Sequence, residues 1–251
     1  MLDRPETLRY GIIGCGMMGR EHISNIGLLP GAQVTAVYDP ERDLAVQAAT
    51  LAGGAALCNT LREVVEQVDA VVIVSPNHVH VDQLMEIATL RHIPVLCEKP
   101  LYTRAEGAAR IEDFEARYTA PVWVAMEYRY MPPIARFLEQ ARAATGGIEM
   151  LTIREHRFPF LPKVGNWNRF NRYSGGTMVE KCCHFFDLMC LIIDGPPVRV
   201  MASAGQAVNH LGESYLGETP VRSRIPLARR RCPPQKGLEP WHPMGDSDRG
   251  S

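Results

Sequence analysis

Three glycines near the start of the chain have the spacing of a phosphate-binding turn. Gly14, Gly16 and Gly19 follow the apolar run 8–13 and precede a segment with helical spacing of its apolar residues. In such a turn the first glycine permits a tight bend, the second lets a pyrophosphate approach the backbone, and the third lets helix and strand pack closely. The following helix adds unpaired N–H groups and a positive dipole end. The predicted cofactor-binding residues of this turn are Gly14, Gly16, Met17, Met18 and Gly19. An ordinary glycine-rich turn is the alternative.

An acidic residue ends the second predicted strand, 33–39. Asp39 lies 20 residues beyond Gly19, where a carboxylate can accept hydrogen bonds from the ribose diol of a dinucleotide. A carboxylate at this position would repel a 2′-phosphate, so the sequence favours NAD over NADP. The alternative interpretation is that Asp39 only caps the helix that follows Pro40.

Polar residues follow two further predicted strands, at 69–74 and 94–97. Strands alternate with helical segments from about residue 7 to residue 126, which predicts a doubly wound parallel sheet, the core of a Rossmann domain. Ligands of such sheets bind beyond the carboxyl ends of the strands. The further predicted cofactor-binding residues at these ends are Ser75, Pro76, Asn77, His80, Glu98 and Lys99. The segment 127–129 follows a last strand at 121–126 and belongs to the same edge.

The pattern changes after Pro132-Pro133. Apolar and polar residues alternate over Met150–Phe158 and Val198–Ala207, which predicts strands with one solvated face. A helical pattern through 178–192 lies between them. The sequence therefore predicts an α/β Rossmann domain over 1–130 and an incomplete α+β open-sheet domain over 131–220.

Residues 221–251 are rich in Arg and Pro and have neither helical nor strand periodicity. We expect a disordered or aberrant tail there, rather than a basic interaction tail. The abrupt change near residue 220 suggests a shifted reading frame or a truncated gene product, which would leave the apolar faces of the two predicted strands uncovered. Translation of the encoding DNA in the other two frames tests this hypothesis.

Composition excludes several classes of function. The net charge of −1 offers no electrostatic attraction to nucleic acid or to an anionic membrane surface. The sequence shows no signal-peptide pattern and no membrane-spanning apolar run. Its seven cysteines include no CxxC pair, so we expect reduced, buried thiols in a cytoplasmic protein and no metal site.

Four motifs in this order resemble the Gfo/Idh/MocA family of NAD(P)-dependent oxidoreductases of sugars, inositols and related polyols. They are the glycine turn, Ser75-Pro76-Asn77 with His80, Cys97–Pro100, and Gly175–Asp187. The resemblance covers roughly residues 8–207. Family members are noticeably longer, and their second domain usually forms the oligomer interface, so a homo-oligomer is expected only if that domain is complete.

The resemblance implies that Lys99 reaches the substrate hydroxyl near the nicotinamide and that His184 is its acid/base. It also implies that Glu180, where the family usually has aspartate, is a catalytic residue that binds or orients the substrate. Glu180 lies four residues before His184, so we expect the two residues one helical turn apart on the same face of a helix. The roles of Lys99 and His184 agree with the chemistry of alcohol oxidation. Hydride leaves a carbinol carbon only as a base such as histidine removes the O–H proton, and a cation such as lysine stabilises the developing alkoxide. A solvated lysine and a buried structural histidine are the alternatives.

Other residues are weaker candidates for the substrate site. Arg129, His156 and Trp167 are possible substrate contacts from their loop or strand-end positions. Asp187 lies on the turn next to His184, where it either orients that histidine or faces solvent.

Three functions agree with these residues. The first is an NAD-dependent dehydrogenase of a small polyol or sugar. The second is an NAD-dependent glycoside hydrolase of the same family, and the third is a catalytically inactive nucleotide-binding protein. The motifs do not separate the three.

Overall fold

The computed structural model describes residues 7–155 and 161–201. Their sheet has six parallel strands in the order β3-β2-β1-β4-β5-β6. The strands are Leu8–Ile13 (β1), Ala32–Tyr38 (β2), Ala56–Leu57 (β3), Ala70–Ile73 (β4), Val95–Cys97 (β5) and Val122–Val124 (β6). Since β1 and β4 are neighbours, the strand order reverses at β1, as in a doubly wound sheet. The Rossmann prediction is confirmed.

Helices connect the strands and cover both faces of the sheet. They are Met17–Ile26 (α1), Arg42–Leu51 (α2), Leu61–Gln67 (α3), His80–Leu90 (α4) and Glu106–Arg117 (α5). The side chain of Thr60 accepts a hydrogen bond from the backbone N–H of Glu63 at the start of α3, at 3.2 Å. This N-cap satisfies one of the amide groups that a helix start leaves unpaired.

The hydrophobic core has two layers, one on each side of the sheet. Val71 and Ile73 of β4 pack toward α3, α4 and α5, while Val72 packs toward α1 and α2. All four residues of β4 are buried, because helices cover this central strand on both faces. The continuous apolar run of the sequence predicted this strand correctly.

The carboxyl ends of the inner strands are aligned across the sheet. Ile13 pairs with Tyr38 on one side and with Ile73 on the other, and Ile73 pairs with Cys97. The loops that follow β1, β2, β4 and β5 therefore begin side by side at the same edge of the sheet. This register brings residues from four distant parts of the sequence to one edge.

The described part of the chain beyond β6 is made of helices and loops. These helices are Pro132–Thr145 (α6), Asn171–Ser174 (α7), Thr177–Glu180 (α8) and Cys183–Ile193 (α9), with short 3-10 helices at Glu127–Tyr130 and Val164–Arg169. The predicted helix through 178–192 is interrupted after Glu180, where Lys181 and Cys182 form a turn before α9 begins at Cys183.

The two strands predicted for the second domain are wrong where they can be compared. Residues 150–155 and 198–201 lie outside any strand, and the rest of both segments, like the predicted tail, lies outside the described residues. A strand forms only with a neighbour that completes its hydrogen bonds. Among the described residues no second sheet offers one, and Met150, Val198 and Val200 are exposed.

Six cysteines lie in the described residues, all as free thiols. Cys15, Cys58 and Cys97 are buried as expected, whereas Cys190 is exposed. Within residues 7–155 and 161–201, no helix is long and apolar enough to cross a membrane.

The close contact between α1 and the glycine turn generates a stability prediction. A Cβ on Gly19 would lie 2.1 Å from the carbonyl oxygen of Gly14, whereas a Cβ on Gly16 would meet nothing within 4 Å. Gly19→Ala should therefore lower the free energy of unfolding by about 1–3 kcal/mol or more. Gly16→Ala is the matched control and should unfold at nearly the wild-type denaturant concentration. Equal midpoints for the two variants in chemical denaturation would contradict the packing argument.

Candidate active site

The glycine turn opens a cradle at the end of β1. Gly14 has φ +100°, a conformation that L side chains rarely adopt, and a Cβ there would lie 2.5 Å from the backbone nitrogen of Ser75. Gly16 is the N-cap of α1 and has no side-chain cap. Since the first amides of a helix lack partners within it, α1 presents N–H groups beside the open space at Gly16.

A cavity of about 390 Å³ lies along this edge of the sheet. Ten of the predicted cofactor-binding residues line it: Gly14, Gly16, Met17, Met18, Asp39, Ser75, Pro76, Asn77, Glu98 and Lys99. Gly19 does not line the cavity; it lies against the carbonyl oxygen of Gly14 instead. The described part of the chain thus brings most of the predicted set to one site.

Asp39 holds the glycine turn from the neighbouring strand. Its Oδ2 accepts a hydrogen bond from the backbone N–H of Cys15 at 2.6 Å, and its Oδ1 accepts one from Glu41 at 2.8 Å. Glu41 is the N-cap of α2, so the structure supports a local capping role. Carboxylate oxygens accept more than one hydrogen bond each, and Asp39 also lines the cavity, so a ribose-binding role stays a prediction.

His80 lies outside the wall of this cavity. It is fully buried, with Nδ1 2.9 Å from the carbonyl oxygen of Pro100 and Nε2 2.9 Å from that of Ser75. Burial lowers the pKa of His80, although both carbonyl contacts act in the opposite direction. His80 therefore ties the loop after β4 to the loop after β5, and its predicted contact with a cofactor stays a prediction.

Asn77 connects the sheet edge to the second part of the chain. It is buried, and its Nδ2 donates a hydrogen bond to the carbonyl oxygen of Ser174 at 3.3 Å. Ser75 donates to Gln83 at 2.5 Å. Both bonds hold the loop after β4 against the neighbouring helices.

Glu98 forms a buried pair that the sequence did not predict. Nε2 of His22 lies 2.9 Å from Oε1 of Glu98, and Oε2 accepts the backbone N–H of Lys99 at 3.2 Å. Burial favours a raised pKa for Glu98, but the hydrogen bond and charge of His22, with Lys99, outweigh it and the pKa is lowered. The spacing of His22 three residues after Gly19 places both on one side of α1, which is the only local signal for this contact.

Lys99 stands at the edge of the cavity and contacts the second part of the chain. Its Nζ donates to the carbonyl oxygen of Glu180 at 3.3 Å. The Glu180 side chain is buried and lies 3.9 Å from Nζ of Lys163. Burial lowers the pKa of Lys163, with Glu180 acting to raise it and Lys99 to lower it.

Lys163 and Trp167 complete the cavity wall opposite the glycine turn. Nζ of Lys163 lies 4.6 Å from the centre of the Trp167 ring, a cation–π contact. Trp167 was a predicted substrate contact, and the structure places it at the site. Lys163 was missed, because a lone lysine in a polar loop carries no pattern in the sequence.

His184 is buried next to Lys99 but outside the cavity wall. Burial, followed by the charges of Lys99 and Lys181, lowers the pKa of His184 to about 4. Its ring stacks on Tyr128, with centroids 4.3 Å apart and planes at 10°. Nδ1 of His184 has no hydrogen-bond partner among the described residues. The imidazole is therefore neutral at ordinary pH and able to accept a proton.

Glu180 and His184 do not share a helix, contrary to the prediction. Glu180 ends α8 and His184 belongs to α9, so the expected one-turn spacing on a common face is wrong. The interruption at Lys181 turns the carbonyl of Glu180 to Lys99. Glu180 and His184 are both close to Lys99, but they approach it from separate helices.

Arg129 and Asp187 pair with each other. The guanidinium of Arg129 donates through Nε to Oδ2 of Asp187 at 2.6 Å and through a second nitrogen to Oδ1. Asp187 thus anchors Arg129 rather than the His184 ring, and Arg129 as a substrate contact stays a prediction. His156 lies outside the described residues.

Comparison with known proteins identifies the family. The Gfo/Idh/MocA model, described as an oxidoreductase family with an NAD-binding Rossmann fold, matches residues 8–126. The model of the family's C-terminal alpha/beta domain matches residues 144–219. The chain belongs to this oxidoreductase family. The expected second domain of mixed α and β structure is confirmed at the level of the family, while the limits of both domains stay predictions.

Curated proteins that are similar to this chain in sequence include a catabolism protein and inositol dehydrogenases. The chain is 39% identical over 208 residues to an inositol 2-dehydrogenase of Cereibacter sphaeroides, covering 81% of this chain and 59% of the relative. It is 30% identical over 184 residues to the rhizopine catabolism protein MocA of Rhizobium meliloti, covering 72% and 56%. The chain thus spans less than two thirds of the length of these curated relatives.

Solved structures share the fold at low sequence identity. A myo-inositol dehydrogenase from Lactobacillus casei, in complex with NAD(H) and myo-inositol, matches with a TM-score of 0.61 at 24% identity and covers 75% of this chain and 55% of its own. The WlbA dehydrogenase of Bordetella pertussis, in complex with NADH and UDP-GlcNAcA, matches with 0.61 at 21% identity, covering 78% and 57%.

The Glu98 pair generates a prediction of pH-dependent stability. A carboxylate with a lowered pKa stabilises the fold above its unfolded pKa, and this contribution disappears as the pH falls through the folded pKa. Glu98→Gln should cost about 1–3 kcal/mol of unfolding free energy at neutral pH. The difference from wild type should shrink as the pH falls below the ordinary glutamate value of 4.5.

Denaturant titrations at neutral and acidic pH measure this difference. Glu66→Gln is the control, because Glu66 is an exposed partner of Arg62 on the surface of α3 and such pairs contribute little. A Glu98→Gln penalty that is constant over the whole pH range would contradict the role of the charge.

Proposed function

We propose that this chain contributes the cofactor-binding part and the reacting residues of an NAD-dependent oxidoreductase that acts on a hydroxyl of a cyclic polyol or sugar. The main support is the arrangement around Lys99, which lines the cavity, while the buried His184 lies outside the wall but within range of the Lys99 charge. Lys99 lines the cavity, and its charge is one of the causes that lower the pKa of the buried His184. A cation beside a neutral imidazole suits the oxidation of an alcohol.

The cavity is consistent with NAD. A pyrophosphate would lie at Gly16, where the backbone is open and the N-terminus of α1 favours negative charge. Asp39 would accept the ribose hydroxyls, and its negative charge disfavours the 2′-phosphate of NADP. When bound, NAD supplies the ring that accepts or returns a hydride.

His184 and Lys99 would act on the substrate hydroxyl, one on its proton and the other on the charge that develops on its oxygen. His184, neutral and buried, would accept the O–H proton as the alcohol becomes a carbonyl. Lys99 would stabilise negative charge that develops on the same oxygen. The Glu180 carbonyl that accepts from Lys99 would hold the ammonium in place.

The relatives support this substrate class. Inositol 2-dehydrogenases are among the proteins similar in sequence, and two of the dehydrogenase structures that share the fold hold myo-inositol and a nucleotide sugar. A small molecule with several hydroxyl groups also matches the polar and charged wall around Lys99, Glu98 and Lys163.

Cofactor choice is testable at Asp39. Wild type should show a larger rise in melting temperature with NAD than with NADP, since a ligand stabilises in proportion to its affinity for the folded state. Asp39→Asn should reduce this preference by removing the charge that repels the 2′-phosphate. The control is Asp43→Asn, at an exposed position in the first turn of α2. An unchanged preference in Asp39→Asn would contradict the role of Asp39.

Catalysis is testable at Lys99 and His184. The chain, incubated with NAD and a panel of inositols and sugars, should form NADH. Lys99→Met should lower kcat by about a hundredfold or more, and His184→Asn by about 10²–10⁴-fold, while both still gain thermal stability from NAD. Released sugar without net NADH would instead indicate a hydrolase, and NAD binding without any turnover would indicate an inactive binding protein.

A further inference from the structure

The burial of His184 raises the question of where its proton goes. The residue is 1% exposed, yet an alcohol oxidation leaves one proton on the base in every turnover. The base must return this proton to water before it can act again. This question, and the inference that follows, rest on the proposed dehydrogenase function.

Glu127 is placed between His184 and solvent. It begins the 3-10 helix Glu127–Tyr130 that follows β6. Its Oε1 lies 3.4 Å from Nε2 of His184, and 57% of its side chain is exposed. A carboxylate in contact with a buried imidazole on one side and with water on the other has the geometry of a proton carrier.

The neighbouring residues keep the imidazole in this position. The ring of Tyr128 covers one face of His184. The Tyr128 hydroxyl donates to Oε1 of Glu155 at 3.0 Å and accepts from Nζ of Lys181, and Lys181 pairs with Glu155 at 3.1 Å. This cluster anchors the ring of Tyr128, so the orientation of His184 is defined.

Other charged groups around His184 are less suited to carry a proton to water. Lys181 and Glu98 are buried, and Glu98 is paired with His22. The Asp187 carboxylate is bound by Arg129 and is 15% exposed. Lys99 is engaged with the carbonyl of Glu180. Within the described part of the chain, Glu127 is the carboxylate that both contacts the imidazole and is mostly exposed.

We propose that Glu127 transfers the proton between His184 and water. The substrate O–H bond breaks and its proton binds a ring nitrogen, which makes an imidazolium. The N–H bond at Nε2 then breaks, and the proton binds Oε1 of Glu127. A water or buffer base finally removes it, which restores the carboxylate and the neutral imidazole. In the reductive direction the same steps run in reverse.

The proton affinities of the two groups agree with this path. The surroundings of Glu127 raise its pKa from 4.5, mainly by partial burial, while burial and the two lysines lower that of His184 to about 4. The directions of both changes favour transfer of a proton from the imidazolium of His184 to the carboxylate of Glu127.

Glu127→Gln tests the proposal, because it keeps the size of the side chain and removes its ability to carry a proton. We expect kcat to fall about tenfold or more, with little change in KM. Small buffer bases such as imidazole should restore kcat in proportion to their concentration, which a merely structural defect would not allow. Glu139→Gln, at an exposed position on α6, is the control and should retain the wild-type kcat.

Two results would overturn the proposal. One is an unchanged kcat in Glu127→Gln. The other is an increase in KM with no response to buffer, which would make Glu127 a substrate contact.

An NMR measurement of the His184 ring at neutral pH separates this inference from the proposed function. The ring nitrogen signals are assigned by their loss in His184→Asn, and the measurement needs neither substrate nor NAD. Loss of the Glu127 charge 3.4 Å from Nε2 should shift these signals, whereas Glu139→Gln should leave them unchanged. Ring nitrogen signals that are identical in Glu127→Gln and wild type would refute the contact. Failure of the wild-type chain to form NADH would refute the proposed function instead.

Discussion

The close contact between α1 and the turn after β1 is the constraint on which the rest of the site depends. A single missing Cβ at Gly19 lets the helix lie against the carbonyl of Gly14, so that the amides of its first turn face the open space at Gly16. The same helix position lets His22 reach Glu98. The glycine turn and the loop that bears Lys99 are therefore held by one helix, and a shift of α1 would move both.

A series of polar contacts extends from this helix into the second part of the chain. His22 pairs with Glu98, Glu98 accepts the backbone N–H of Lys99, and Lys99 donates to the carbonyl of Glu180. Buried charges are costly unless each has a partner, so this arrangement favours one relative position of the loops. Burial, followed by the charges of Lys99 and Lys181, lowers the pKa of His184 and keeps the imidazole neutral.

Contacts from separate elements bring His184 to the sheet edge. Asn77 bonds to Ser174, and Arg129 binds Asp187 on the helix of His184. Tyr128 stacks on the imidazole while Glu127 contacts its Nε2. The segment after β6 thus supplies three consecutive residues, of which Glu127 and Tyr128 contact His184 and Arg129 anchors its helix.

Sequence pattern alone predicted the Rossmann half of the fold and about half of the residues that line the cavity. Strand and helix periodicity, and the steric demands of Gly14 and Gly19, are local properties that can be seen in consecutive residues. The pairs His22–Glu98 and Glu127–His184 were decided only by the tertiary structure, because each joins residues far apart in the chain and depends on how helices pack. The same reason explains the errors. Among the described residues, the alternating apolar and polar residues at 150–155 have no neighbouring strand with which to pair. The helix predicted through His184 is interrupted at Lys181, whose side chain packs beside Tyr128 and Glu155.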